Sequence, residues 1–474
     1  MSTLLNIRRF FVITLVACGT LSLSGCVTKA PVETPYAVSL EIWGLFDDSD
    51  AYAETFEQYK KLNPRVKALT YRKLPVETYK EDLINAFASG KGPDIFMIRN
   101  SWRADFEDKT TPAPENVLTE KDYRERLVDV ASSDFINKDK KIYGVPLSVD
   151  SLALYYNKDI FNIVGITEPP KTWDEVIVAA QKLNLIDQFG AITRSGVSLG
   201  TGVNINRSSD ILSVLMMQLG SGALAENRTS ALSFNDEESR SALEFYTSFS
   251  RVGAPAYSWN ARQDYSLDAF YKGNLAMMIN YSWQYEAIKQ KNAKLNIGIA
   301  PLPQFDLGNP ANVANYYGYV VSKEKPNTID PAISGQASPV PSTLTKEEEN
   351  RTRTFESWQF LKYFALAGKE KKMTLVHALS GNGQEIILKD DPAAVYLEAT
   401  NKPGARRDLL ETQKNDLVLA PFAYGNLIAK NWYQGNSEAA DGILIDTIDS
   451  VVRGEKSIQN ALEVAATRIN LLKR

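Results

Sequence analysis

Gly144-Val-Pro-Leu-Ser-Val-Asp-Ser-Leu-Ala-Leu-Tyr-Tyr-Asn-Lys-Asp-Ile-Phe161 is the stretch whose reading decides the fold. Pro146 cannot donate to a strand ladder, so the first part suits a strand end or a sheet edge. Leu152-Ala-Leu-Tyr-Tyr156 is an unbroken apolar run, the mark of a strand buried on both faces. Asp150 stands between these parts, flanked by Val149 and Ser151. An acid at the midpoint of a crossover strand points to two lobes that share a hinge, with a polar anchor toward a cleft. Burying that charge without a partner would be costly. Two roles are open to Asp150, acceptor for a ligand or brace for the hinge.

Working outward, Val38–Trp43 alternates as a strand that leaves through Gly44. Ser49 or Asp50 opens a helix with Tyr52, Phe56, Tyr59 and Leu62 on one face, ended before Pro64. A second strand follows from Val66, a helix carries Tyr79, Leu83 and Phe87, and a third strand runs to Ile98. This order begins a parallel α/β sheet. Trp102 and Asp105 come after the third strand, at the carboxyl end where open α/β sheets place ligands.

Beyond the hinge, Thr172 and Glu175 form a capping box, and Ala276–Asn280 reads as a buried strand followed by Trp283. Tyr316–Ser322 is a second tyrosine-rich strand, where the chain is expected to recross, and its Tyr317 is a candidate for the cleft wall. Thr345 and Glu348 cap a helix after a loop rich in Pro and Ser from Asp330. Ala439–Gly454 and Ser457–Leu472 read as two amphipathic helices at the chain end.

Chemistry is constrained by what the composition lacks. The only histidine, His377, lies in Leu375–Leu379, which reads as a helix interior and so as a structural position. Metal sites built from His and Cys, and His-dependent nucleophiles, are thereby excluded. Asp47-Asp48-Ser49-Asp50 lacks the spacing and glycine of an EF-hand loop and suits a helix start instead. No cofactor is expected.

Arg8 and Arg9, the apolar run Phe10–Ala17 and the small residues before Cys26 read as a secretory signal. Leu23-Ser-Gly-Cys26 resembles the bacterial lipobox, with cleavage after residue 25 and lipid on Cys26. Residues 26–36, with Pro31 and Pro35, then form a tether. Removing residues 1–25 takes two arginines and no acids, so the formal charge moves from −4 to −6. A mildly acidic surface argues against a nucleic-acid partner. Cys26 is left as the single cysteine, so no internal disulfide can form.

Several segments, in order, resemble the family 1 extracellular solute-binding proteins of ABC transporters, the group of bacterial maltose-binding protein. They are Leu40–Trp43, Gly92–Phe96, Ile142–Leu147, Leu154–Asp159, Pro170–Glu175, Phe270–Asn280, Pro301–Pro303 and Tyr317–Ser322. The resemblance implies a two-lobe α/β fold of the periplasmic-binding-protein type II, each lobe a mostly parallel sheet flanked by helices, with hinge crossovers between them. Lobe one would comprise 37–148 plus 320–418, and lobe two 149–319 plus 419–474, with a third crossing near Ala420-Pro421. It also implies a non-enzymatic receptor, lipid-anchored outside the cell membrane or in the periplasm, that delivers a small solute to ABC transporter permease subunits. The protein would act as a monomer. A sugar or oligosaccharide is the solute implied; a peptide, polyamine or other small solute in the same fold, and a surface glycoside hydrolase, are the alternatives. Carried over by position, the ligand-binding candidates are Trp43, Trp102, Asp105, Asp150, Trp283, Tyr317 and Trp432. The sugar-contacting lysine expected beside Asp47 and Asp48 is missing locally.

Overall fold

Strands with alternating or unbroken apolar residues form two separate sheets, and a third, smaller sheet joins them. The computed structural model describes residues 36–221, 234, 236–325, 344–368, 370–432 and 436–472. The signal, the tether and Cys26 lie outside the described residues, as does most of the Pro/Ser-rich loop from Asp330.

The chain lays down β1 (Val38–Gly44), β2 (Val66–Lys73), β3 (Ile95–Arg99) and β4 (Thr110–Thr111), then β5 (Asp150–Ser151) and β6 (Ala153–Asn157). It continues with β7 (Leu185–Ile186), β8 (Ile192–Val197), β9 (Leu275–Asn280) and β10 (Ile297–Pro301). After these come β11 (Asn312–Asn315), β12 (Tyr317–Ser322), β13 (Lys372–Val376), β14 (Gly383–Ile387) and β15 (Ala429–Lys430). One sheet has the order β2-β1-β3-β12-β4 and another β10-β6-β9-β8-β7.

Both sheets are mixed rather than mostly parallel. β1 is parallel to β2 and β3, as strand–helix–strand order requires. β12 returns from the hinge beside the end of β3, with Tyr317 opposite Arg99, and therefore runs antiparallel. In the second sheet only β8 and β9 are parallel, while β6 is antiparallel to both β9 and β10.

Each sheet has its own core. One gathers Leu40, Ile95, Val320, Trp358 and Phe364, the other Leu154, Trp173, Trp259, Met277 and Leu444. Each fully buried side chain of this size contributes about 1.5–3 kcal/mol. Helix Lys346–Leu366 starts at the expected capping box, Glu348 N donating to Thr345 Oγ1, and lays Phe360 and Phe364 on the first sheet. Thr172 Oγ1 likewise accepts from Glu175 N, and the helix Trp173–Leu183 then inserts Trp173, whose Nε1 donates to Gln218. The two closing helices span Ser437–Val452 and Ile458–Leu471.

His377 is not in a helix. It follows β13 at a tight hairpin to β14, where its Nδ1 accepts from Ser380 N and Tyr36 packs against its ring. β-branched Thr374 and Val376 favour the strand, and the pairing with β14 outweighs the helical look of the flanking Leu and Ala.

The third sheet, β15-β11-β5, brings three passages between the cores side by side. β11 is antiparallel to β5, through Ala314 with Ser151 and Asn315 with Asp150, and parallel to β15. The Asn312 amide fastens this sheet to the start of β6: Leu152 N donates to its Oδ1 and its Nδ2 donates to Leu152 O. Around the last passage, Phe422 belongs to the second core and Ala423 and Ala429 to the first.

Candidate functional site

Wall of the first lobe. Trp102 sits in the tight helical turn Asn100–Lys109 directly after β3, 5% exposed. Tyr317, at the start of β12, meets it edge-on at 6.0 Å and meets Phe46 at 5.3 Å. Phe46 is 47% exposed and held at φ 66° at the exit of β1. Trp102 Nε1 is buried without a hydrogen-bond partner. Lys80 Nζ lies 5.1 Å over the Trp102 ring and pairs with Asp105 at 2.7 Å, which gives Asp105 a partner of its own. Trp43 packs in the first core, its Nε1 donating to Glu41 and Arg72 stacked over its ring at 4.9 Å.

Wall of the second lobe. Trp283 follows β9 and is 44% exposed, with its ring stacked on Tyr281 at 4.6 Å and 18°. Tyr155 OH donates to Tyr281 O and fixes this turn to the buried β6. Arg207 covers both rings, its guanidinium carbon 5.5 Å from Tyr281 and 5.4 Å from Trp283.

Asp150 lies in the hinge between these walls. Its Oδ2 accepts from Ser282 N at 2.9 Å and Ser282 Oγ at 2.5 Å, and its Oδ1 from Ser151 N at 2.8 Å. Burial pushes the carboxyl up to about 7, while these three donors pull it down. These donors fix the carboxylate to its own strand and to the turn after β9.

A narrow cavity of about 40 Å³ beside the hinge is lined by Arg99, Asn100 and Ser101 from one lobe and by Asp210, Asp441 and Trp432 from the other. Arg99 Nη1 donates to Ser437 Oγ at 3.0 Å and pairs with Glu438 at 3.3 Å, and Ser101 Oγ meets Ser437 Oγ. Burial and the Asp210 carboxylate beside it push Asp441 up. Trp432 is partly buried against Phe234. Across the other rim, Asn401 Nδ2 donates to Glu286 Oε1 at 3.1 Å.

Asp47 has a lysine partner from far along the chain. Lys402 Nζ bonds Asp47 Oδ2, which also accepts from Tyr396 OH at 2.7 Å. Sequence reading also passed over Phe46, Tyr281, Arg99 and Arg207. Tyr281 had a signal, being two residues before Trp283 at the same strand end; Arg99 closes β3, and Phe46 and Arg207 lie in loops with no periodicity to mark them. Among the described residues no group of three or more His, Cys, Asp or Glu is placed to hold a metal ion.

Aromatic side chains thus gather at strand ends of both sheets, Trp102, Tyr317 and Phe46 on the first and Tyr281 and Trp283 on the second. The profile of the bacterial extracellular solute-binding protein family matches residues 44–371. The chain belongs to that family. Its members bind solutes and are not enzymes. This solute-binding protein is 27% identical over 271 residues to a binding protein of Brucella abortus (strain 2308), covering 56% of this chain and 62% of that one. It is 24% identical over 250 residues to the maltotriose-binding protein of Pyrococcus abyssi (strain GE5 / Orsay), covering 52% of this chain and 49% of that one. The matched stretch thus spans about half to three fifths of these curated relatives. The crystal structure of the cyclic alpha-maltosyl-1,6-maltose binding protein from Arthrobacter globiformis has the same fold, with a TM-score of 0.69 at 19% identity, over 92% of this chain and 99% of that one.

Proposed function

We propose that this solute-binding protein is the receptor of an ABC importer and that its ligand is a neutral oligosaccharide held between the two lobes. The observation that carries this reading is the exposed Trp283, stacked on Tyr281 across the hinge from Trp102, Tyr317 and Phe46. Aromatic faces suit the apolar faces of sugar rings. Covering the exposed rings of Trp283 and Phe46, each worth at most about 1.5–3 kcal/mol, supplies part of the ~8 kcal/mol of a micromolar complex before association costs. The relatives named for maltotriose and for a cyclic maltosyl sugar support the choice of an oligosaccharide. In this reading the lobes part to admit the sugar and close over it about the hinge.

In this reading, lobe one is 37–148 plus 320–418 and lobe two 149–319 plus 419–474, and lipid on Cys26 holds the protein at the outer face of the membrane. Trp102, Tyr317 and Trp283 contact the sugar. Trp432 flanks it, Asp150 braces the hinge, and Asp105 and Trp43 support the first wall. Closure presents both lobes to the permease as one surface. Titrating tryptophan fluorescence with linear maltodextrins tests the reading. Saturable change is expected, weakened about tenfold or more in Trp283→Ala, as the loss of one buried ring requires; a flat response across a broad sugar panel refutes the oligosaccharide.

A further inference from the structure

Arg207 stands out among the cations near the hinge because no side chain or backbone group among the described residues holds its edges. Arg99 is engaged by Ser437 and Glu438, Lys80 by Asp105, and Lys402 by Asp47. The Arg207 guanidinium makes no hydrogen bond and no ion pair among the described residues, and its Nε is buried without a partner. The rings of Tyr281 and Trp283 lie beside its guanidinium carbon, at 5.5 and 5.4 Å. A guanidinium has five N–H donors in a fixed planar fork. Leaving the buried Nε unpaired costs free energy unless something else accepts.

The placement is built, not incidental. Arg207 has φ 67°, a left-handed conformation that a long side chain adopts only where its surroundings impose it. The segment before it is pinned on every side. Asp449 Oδ1 and Oδ2 accept from Gly202 N and Val203 N, and Ser208 Oγ donates to Gly202 O. Asn206 Oδ1 accepts from Asn280 Nδ2 at the end of β9, and Asn206 N donates to Ser266 Oγ. Helix Ser208–Leu219 then fixes the chain beyond. The fork is therefore held beside the one exposed tryptophan of the second wall.

Building on the proposed oligosaccharide reading, we infer that Arg207 is a specificity-determining residue, whose guanidinium donates to an adjacent pair of hydroxyl oxygens on the sugar ring stacked against Trp283. Asp150 and Asp441 both lie near enough to interact with its charge, and Asp210 and Arg99 flank Asp441, so acids already surround the guanidinium. A neutral polyol fits that balance better than an anion. A planar fork matches two oxygens at once, which a lysine cannot do. A site built to bond hydroxyls rejects analogues that lack them.

The test is calorimetric titration of the whole protein with maltotriose and with monodeoxy analogues of it, for the wild type, Arg207→Gly and Arg207→Lys. Glycine is at ease at this φ, so Arg207→Gly keeps the backbone, and its Tm is expected to equal or exceed that of the wild type. Its affinity for maltotriose is expected to fall roughly 10–100-fold, the range for hydrogen bonds to a charged group. One deoxy analogue is expected to bind the wild type about tenfold or more weakly than maltotriose, and Arg207→Gly is expected not to distinguish the two. Arg207→Lys is expected to fall between. Binding by the wild type with Arg207→Gly unchanged, or with its discrimination intact, overturns the assignment of Arg207 alone. No binding of maltotriose by the wild type overturns the saccharide reading and this assignment with it.

Discussion

Asp150 and Ser282 are bonded twice, the serine N and Oγ both donating to one carboxylate oxygen, at 2.9 and 2.5 Å. Asp150 lies in the first strand to cross between the lobes, and Ser282 is the residue before the exposed Trp283. The brace of the hinge and the aromatic platform of the second wall are thus one structural unit.

That unit makes stability depend on pH. The folded Asp150 titrates at about 7, above the ordinary aspartate value. Between those two values the native state binds more protons than the unfolded chain, so this group's contribution to stability falls as pH rises from about 4 to about 7. Asp441, pushed up by burial and by Asp210, acts in the same direction. Asp150→Asn is expected to flatten the decline of Tm over that interval, measured by circular dichroism. Equal slopes for wild type and variant would contradict the assignment.

Gly425 controls hinge packing. It lies in helix Ala420–Leu427, and a Cβ there would press on Ser151 Oγ of β5 and on the Asn312 amide, at 2.8 Å from its Nδ2. Gly425→Ala is expected to lower unfolding free energy by about 1–3 kcal/mol, the cost of overpacking. Urea denaturation reads it directly, as a lower midpoint at an unchanged slope.

Cys26 is the proposed attachment point for lipid. Cys26→Ser is expected to move the protein from the membrane pellet to the soluble fraction on cell fractionation. A variant that still pellets would refute the lipoprotein reading.

How much of this was legible beforehand follows from the physics of each signal. Apolar alternation and caps are local, so β1 to β3, the Thr172 and Thr345 helix starts and the two closing helices could be read from the chain. Strand direction is not local: β12 enters its sheet from the hinge side, and only the fold reveals that it runs antiparallel to β3. His377 shows tertiary pairing overriding an apparent helix. The placement of Trp102 and Trp283 just after β3 and β9 was legible, because the apolar runs before them mark where those strands end. Lys402 was not, because it reaches Asp47 from 355 residues away. Neither was Arg207, whose importance lies in a backbone angle and in unfilled donors that no spacing encodes.

The most direct measurement of the central claim is isothermal titration calorimetry of the purified protein against linear malto-oligosaccharides, with amino acids, a peptide mixture and spermidine in parallel. A single saturable site for an oligosaccharide, weakened in Trp283→Ala and insensitive to ionic strength as expected for a neutral ligand, is the predicted result. Saturable binding of an amino acid, peptide or polyamine, with no heat from any saccharide, would contradict it.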